Sequence, residues 1–194
     1  MKKIPVSVLG ATGNVGQRFV ELLADHPWFE IKHLCASSNS AGKTYKDSVY
    51  WKISASIPSA IENLVVENCE PRKDTYIAFS ALDSSVAGEI EEKFANAGYI
   101  VISNSKNHRM DLDVPLLIPE INPEHLSLIE AQRKRIGKNK GFIITNPNCS
   151  TIGLSMVLKP LDNAFGIKQV LVTTMQALSG AGYPGVASLD ALDN

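Results

Sequence analysis

The sequence is short of cysteine, of long apolar runs and of net charge, and each shortage excludes a class of protein. Its 194 residues include three scattered cysteines, an odd number that argues against a disulfide framework. No stretch approaches the roughly 18 apolar residues of a membrane span, and the first apolar run is too short for a signal peptide. The net charge of −1 creates no global field towards nucleic acid or anionic lipid. We therefore expect a cytoplasmic protein without nucleic-acid or membrane partners.

Metal-binding patterns are also missing from the sequence. The four histidines are isolated, and no Cys-x-x-Cys or His-x-x-x-His spacing occurs. Such spacings are the usual signature of a zinc or related site. We predict no metal site.

Short β-branched runs alternate with helical patterns along the chain, which is typical of βαβ units around a parallel sheet. The predicted strands are 5–9, 31–36, 64–66, 76–79, 99–103, 142–145 and 170–175. The predicted helices begin after Gly13 and span 84–97 (capped by Ser84 or Ser85), 123–135 and 150–162. We expect an α/β, Rossmann-type, mostly parallel sheet with helices on both faces. This domain should cover residues 1–146, and 147–194 should begin a second one, because the alternation changes character near 146.

A glycine-rich turn, G-A-T-G-N-V-G from Gly10 to Gly16, stands between the first strand and the first helix. Gly10 permits a tight turn, Gly13 a close approach of ligand to backbone, and Gly16 close packing of helix on sheet. The free N–H groups of the helix N-terminus can then bind a pyrophosphate. The spacing is G-x-x-G-x-x-G rather than G-x-G-x-x-G, so a glycine turn without a ligand remains the alternative.

The end of the second strand indicates which dinucleotide is bound. NAD-binding folds usually carry an acidic residue about 20 residues beyond the glycines. Here residues 36–43 read A-S-S-N-S-A-G-K, without an acid. Hydroxyls, an amide and Lys43 can hold a 2′-phosphate that a carboxylate would repel, which favours NADP over NAD and leaves dual specificity open.

Cys149 lies in the segment T-N-P-N-C-S-T-I-G, between an Asn-Pro-Asn turn and a predicted helix. A helix N-terminus stabilises an anion and so favours the thiolate of a nucleophile. The alternative is a small capping residue, although Ser, Asp or Asn is the usual choice for a cap. Cys35, in a strand, and Cys69, in a polar loop, lack this setting. A nucleotide site combined with a nucleophilic thiol suggests interconversion of an aldehyde and an activated acyl group through a thioester.

Four motifs in this order resemble aspartate-semialdehyde dehydrogenase of the archaeal and fungal type over essentially the whole chain. They are G-A-T-G-N-V-G, S-N-S-K-N-H-R-M-D-L-D-V-P-L-L-I-P-E-I-N from Ser103, N-P-N-C-S-T around Cys149 and Q-A-L-S-G-A-G-Y-P-G from Gln176. The resemblance implies that Cys149 is the catalytic nucleophile and that Gln176 orients the substrate near it. It also implies that Arg109 holds the substrate phosphoryl group and that Asn148, which precedes the nucleophile, belongs to the substrate-binding residues. It implies cofactor contacts at Thr12, Gly13, Asn14, Val15, Ser37, Ser40, Ser179 and Gly180, with Ser80 and Asn104 lining the same cleft.

The resemblance also implies an activity and an assembly. Members reduce β-aspartyl phosphate with NADPH to aspartate semialdehyde and phosphate, which feeds lysine, methionine and threonine biosynthesis. Their second domain is an α+β catalytic and dimerisation domain, so a homo-oligomer, dimer or tetramer, is expected. Their acid–base histidine lies further downstream than Asn194, so we expect this chain to be the N-terminal part of a longer enzyme.

The residues leave two groups of alternatives open. Malonyl-CoA reductase and N-acetyl-glutamyl-phosphate reductase share the scaffold. A chain that truly ended at Asn194 would instead be a non-catalytic NADP-binding module.

Overall fold

A computed structural model describes residues 2–137 and 140–175. It contains one six-stranded, all-parallel sheet. The strands are β1 Ile4–Leu9, β2 Phe29–Ala36, β3 Val66–Asn68, β4 Ile77–Ser80, β5 Ile100–Ser103 and β6 Phe142–Thr145. The α-helices are α1 Asn14–Ala24, α2 Tyr45–Ser48, α3 Ser84–Asn96, α4 Leu128–Ile136 and α5 Cys149–Phe165, and a 3₁₀ helix, Pro123–Ser127, precedes α4.

The order of the strands creates a crevice at the centre of the sheet. It runs β3-β2-β1-β4-β5-β6, so the chain moves outwards from β1 in one direction, returns, and moves outwards from β4 in the other. In doubly wound sheets, ligands bind outside the carboxyl ends of the strands at this reversal. The segments after β1 and β4 are therefore the expected walls of a ligand site.

Two apolar layers cover the two faces of the sheet. Alternate residues of a strand point to opposite faces: Val8 belongs to a cluster that includes Val20 of α1, and Leu9 to a second cluster that includes Phe94 of α3. Ile136 at the end of α4 packs against the second cluster. The predicted fold, a parallel sheet with helices on both faces, is confirmed.

One predicted strand is wrong. Residues 170–175 form no strand, although their apolar, β-branched pattern favours one. A strand persists by pairing with a neighbour, and no segment of the described ranges pairs with this one; Val170, Leu171 and Val172 are exposed.

Smaller corrections concern element ends. The third strand lies at Val66–Asn68 rather than 64–66, because Tyr45 and Gly42 bond the carbonyls of Leu64 and Val66. The cap of α3 is Asp83, whose carboxylate accepts the Ser85 N–H at 2.9 Å, in place of the predicted Ser84 or Ser85.

No helix within the described residues is long and apolar enough to cross a membrane.

Candidate active site

The glycine turn after β1 is built as the sequence predicts. Gly10 has φ +75°, a conformation that glycine adopts without strain. The N–H groups of Gly10 and Ala11 both donate to the Cys35 carbonyl of β2, at 2.8 and 3.0 Å. Gly13 is the N-cap of α1 and has no side chain, so no cap hydrogen bond occupies the first N–H groups of the helix. The turn therefore places the first N–H groups of α1 at the crevice between β1 and β4.

Gly16 has no room for a side chain. A Cβ there would overlap the Gly10 carbonyl oxygen and lie 2.7 Å from the Ala11 Cα. The first turn of α1 thus packs directly on the backbone that precedes it, which is the role predicted for the third glycine.

The buried side chain of Gln17 fixes a second loop over this turn. Its Nε2 donates to the carbonyls of Thr12 and Tyr50 at 3.1 and 3.0 Å, and its Oε1 accepts the Lys52 N–H at 2.8 Å. The 50–52 loop is therefore held beside the N-terminus of α1, which sequence reasoning did not foresee because the two segments lie far apart in the chain.

Two cavities flank the glycine turn. One, of about 520 Å³, lies at the carboxyl ends of the central strands and is lined by residues that include Gly10, Thr12, Gly13, Ser37, Asn68, Cys69, Glu70 and Asp83. The other, of about 530 Å³, shares Thr12, Gly13, Ser37 and Asp83 and adds Asn14, Gln17, Tyr50 and Lys52. Their combined size and position suit an extended dinucleotide.

Other predicted cofactor residues lie outside these two cavities. Val15 and Lys43 are exposed, Ser40 is half-buried, and the Lys43 ammonium donates to the Asn39 carbonyl at 3.1 Å. Ser80 is fully buried beneath the crevice, and Asn104 lies with the residues around Arg109 described below.

The residues after β3 were missed by sequence reasoning. Glu70 lines the first cavity, and its carboxylate pairs with Lys93 at 2.6 Å. Cys69 lines the same cavity, and its thiol donates to the Ala36 carbonyl at 3.8 Å. The hydrogen bond to Cys69, together with burial, raises the pKa of the Cys35 thiol, which makes Cys35 a poor nucleophile. The position of Cys69 and Glu70 directly after a strand that pairs with β2 marks these residues as candidates for the site, since ligands bind outside the carboxyl ends of parallel strands.

Cys149 is exposed and is the first residue of α5. The cap of this helix is Asn148, whose Oδ1 accepts the Ser150 N–H at 3.0 Å and the Ser150 hydroxyl at 2.6 Å. The alternative interpretation of Cys149 as a capping residue is therefore wrong, because the neighbouring asparagine performs that task. The thiol lies at the positive end of a 17-residue helix.

Arg109 is anchored to the same turn. Its Nε donates to the Asn146 carbonyl and its Nη2 to the Asn104 carbonyl, both at 2.9 Å. The Asn146 amide in turn donates to Asn104 Oδ1 at 2.5 Å. These bonds tie the guanidinium to the ends of β5 and β6, three residues before Cys149. The role of Asn146 was not predicted, because it depends on a contact across 37 positions.

Three further predicted residues, Gln176, Ser179 and Gly180, lie outside the described residues. Within the described ranges, no group of three or more His, Cys, Asp or Glu side chains is arranged to hold a metal ion.

The strand order and the glycine turn define the dinucleotide-binding class of α/β domains. Comparison with known families is more specific. The family model for the semialdehyde dehydrogenase NAD binding domain matches residues 5–129, and the model for the semialdehyde dehydrogenase dimerisation domain matches residues 158–191. The chain belongs to the semialdehyde dehydrogenase family.

Individual relatives agree with the resemblance to the archaeal and fungal type. Aspartate-semialdehyde dehydrogenase of Cryptococcus neoformans is 52% identical over 197 residues, covering 99% of this chain and 54% of the relative. That of Archaeoglobus fulgidus is 53% identical over 190 residues, covering 97% and 55%. The chain spans about half the length of the curated relatives it matches.

Solved structures lead to the same family. The crystal structure of aspartate-semialdehyde dehydrogenase with NADP from Candida albicans matches with a TM-score of 0.78 and 48% identity, covering 86% of this chain and 48% of that one. Aspartate semialdehyde dehydrogenase II from Vibrio cholerae, solved in complex with ASA, matches with a TM-score of 0.75 and 33% identity, covering 98% of this chain and 52% of that one.

Proposed function

We propose that this chain supplies the nucleotide site and the nucleophile of an NADP-dependent aspartate-semialdehyde dehydrogenase, which interconverts β-aspartyl phosphate with aspartate semialdehyde and phosphate. One observation carries the proposal. Asn148 caps α5 and leaves Cys149 exposed at its positive end, while Arg109 is bonded to Asn146 of the same turn. The proposed nucleophile and the proposed phosphate ligand are thus held by one turn, at the edge of the parallel sheet that also carries the glycine turn.

Cys149 is the proposed acyl acceptor. Its thiolate attacks the acyl carbon, a C–S bond forms, and the C–O bond to phosphate breaks with its electron pair leaving on phosphate. The partial positive charge of the helix N-terminus stabilises the attacking thiolate. The product of this step is a thioester on Cys149.

Arg109 is the proposed ligand of the leaving phosphate. Its bonds to the Asn104 and Asn146 carbonyls fix the plane of the guanidinium. A guanidinium carries five N–H donors, so further donors remain for a bidentate phosphate contact. Gln176 is proposed, from the resemblance alone, to orient the substrate.

NADP is the proposed cofactor, and when bound it supplies or accepts the hydride. The cavities beside the glycine turn fit it by their position, and Gly10, Thr12, Gly13, Asn14 and Ser37 line them. The segment after β2 carries no acid that would repel a 2′-phosphate. The Candida albicans relative was solved with NADP. Val15, Ser40, Lys43, Ser80, Asn104, Ser179 and Gly180 remain proposed contacts on sequence grounds.

We further propose a division into a nucleotide-binding domain, 1–146, and the start of a catalytic and dimerisation domain, 147–194. The dimerisation-domain match at 158–191 supports this division and a homo-oligomer. A cytoplasmic location and a place in amino-acid biosynthesis follow from the same proposal.

The test is phosphate-dependent reduction of NADP⁺ by aspartate semialdehyde, measured on the intact protein. Cys149→Ala should lower kcat by at least about 10³-fold, because loss of a nucleophile removes the covalent route. NADP⁺ affinity should not change. Cys35→Ala is the control, since that thiol is buried, and it should keep turnover.

Normal turnover by Cys149→Ala would exclude Cys149 as the nucleophile. Reduction of malonyl-CoA in place of aspartyl phosphate would assign the chain to the sister reductase, and NADP⁺ binding without any turnover would favour a binding module.

A further inference from the structure

A buried carboxylate lies directly beneath the candidate site. Glu91 of α3 is completely inaccessible to solvent. Its Oε1 accepts the hydroxyls of Ser80 at 2.5 Å and Ser103 at 2.7 Å. These serines are the last residues of β4 and β5, so the carboxylate joins the end of β4 to the end of β5, from which the Arg109 segment departs.

The second oxygen of this carboxylate faces a histidine. Oε2 of Glu91 and Nε2 of His108 are 3.8 Å apart. Both atoms are buried, and neither has a hydrogen-bond partner among the described residues. The other ring nitrogen of His108, Nδ1, lies 2.8 Å from Asp111 Oδ2. Carboxylates thus face both ring nitrogens, and only the protonated imidazolium presents an N–H to each.

Other charges near His108 are already paired or are exposed. A cavity of about 60 Å³ beside the ring is lined in part by Glu92 of α3 and Arg135 of α4. Arg135 is bound to Asp113 through Nε at 2.5 Å, and Glu92 is exposed. Glu91 and Asp111 are therefore the carboxylates that balance a charge on His108.

His108 also immediately precedes Arg109. The two lie in one turn, closed by a bond from the Arg109 N–H to the Lys106 carbonyl at 3.2 Å. The His108 ring is buried, whereas Arg109 is half-buried and reaches Asn104 and Asn146. An anchor on His108 therefore fixes the backbone from which the guanidinium extends.

We propose that Glu91 and protonated His108 form a buried ion pair that positions Arg109 for the substrate phosphate. Both are positioning residues, since neither touches the reacting atoms. The inference rests on the proposed function, because it assigns the phosphate to Arg109.

The first test is Glu91→Gln in the intact protein, with exposed Glu92→Gln as the matched control. Glutamine keeps the size of the side chain and removes the charge. KM for phosphate should rise about tenfold, the size expected for weakening one charge-assisted contact, while kcat changes less than about twofold. The control should match wild type. A fall in kcat together with an equal-fold rise in the KM of every substrate would overturn the proposal, because it would indicate a general structural defect.

The second test is a double-mutant cycle in the intact protein with Glu91→Gln, His108→Gln and both together. His108→Gln removes the charged ring, so KM for phosphate should rise about as much as in Glu91→Gln. The double variant should lose no more than either single variant, because both substitutions break the same pair. Additive losses would mean that the two side chains act independently and would refute the ion pair.

A third measurement separates failure of this inference from failure of the proposed function. The Arg109 Nε–H signal in NMR reports the bond to the Asn146 carbonyl without any turnover. Solvent exchange of this proton should be at least about tenfold faster in Glu91→Gln than in wild type, because a released N–H loses its protection. Unchanged exchange would overturn the positioning role even in an active enzyme. A wild type without dehydrogenase activity would instead refute the function and leave this test intact.

Discussion

At the residue scale, Asn148 and Cys149 at the start of α5 have two different roles: Asn148 caps the helix, and Cys149 presents an exposed thiol. A capping side chain is occupied by backbone N–H groups, so a nucleophile in that place would be blocked. Asn148 takes the bonds, and Cys149 remains exposed. The sequence was sufficient to predict that the Cys149 thiol lies at the start of a helix, because the Asn-Pro-Asn turn and the helix are local features. It was not sufficient to predict the hydrogen bonds of Asn146, Gln17 or Glu91, whose partners lie far away in the chain.

Gly16→Ala should destabilise the protein by about 2 kcal/mol, the usual cost of forcing an extra methyl into a packed site. The added Cβ would overlap the Gly10 carbonyl and lie 2.7 Å from the Ala11 Cα, and both are backbone atoms of the glycine turn. Urea unfolding measures the change, and NADP⁺ affinity should fall with it.

Gly88→Ala is the matched helical control for this prediction. Its Cβ would meet only the Asn107 amide, at 3.1 Å, a side chain that can move. The gain in helix propensity, about 0.5–1 kcal/mol, should offset that adjustment. Equal destabilisation by both substitutions would show that Gly16 is not specially constrained by the turn.

At the scale of elements, the sequence is sufficient to predict those strands and helices whose positions depend on local residue patterns. Buried parallel strands such as β6 and long amphipathic helices such as α3 lie within a few residues of their predicted positions. The wrong predictions concern segments whose structure depends on pairing with residues elsewhere in the chain. Residues 170–175 have strand composition but pair with no segment in the described part of the chain. The third strand is displaced by backbone bonds from Gly42 and Tyr45.

The cap of α3 gives a prediction with a defined pH dependence. Hydrogen bonds from the Ser85 hydroxyl and then the Ser85 N–H hold the pKa of Asp83 below its ordinary value. A carboxylate with a lowered pKa stabilises the fold above its unfolded pKa of about 4 and loses that contribution as the pH falls through the folded value. Asp83→Ala should therefore cost about 1 kcal/mol at neutral pH.

This difference from wild type should shrink as the pH falls below about 4, as measured by urea unfolding at a series of pH values. Asp83→Asn is the control, because asparagine caps helices without a charge. Its stability relative to Asp83→Ala should not vary with pH. A wild-type difference that stayed constant into acid would mean that the carboxylate bonds do not stabilise α3.

At the scale of the whole molecule, the sheet with its two apolar layers contrasts with α5. No residue of α5 is buried, and its apolar side chains include Val157, 60% exposed, and Phe165, 84% exposed. The helix touches the rest of the described structure around a shallow cavity near Ile121. The match to the dimerisation domain begins within this helix, at residue 158. A helix is stabilised mainly by packing of its apolar face, so α5 adds little to the domain that precedes it.

The proposed boundary at residue 146 can be tested by truncation. A chain that ends at Asn146 keeps all six strands and the Arg109–Asn146 bond. We expect it to unfold cooperatively, with a Tm within about 4 °C of the 194-residue chain, equivalent to about 1 kcal/mol. A chain that ends at Gly141 is the control: it loses β6, with buried Phe142 and Ile143, and should not fold. If the Asn146 chain were also unfolded, α5 would belong to the nucleotide-binding domain, and the boundary would lie beyond it.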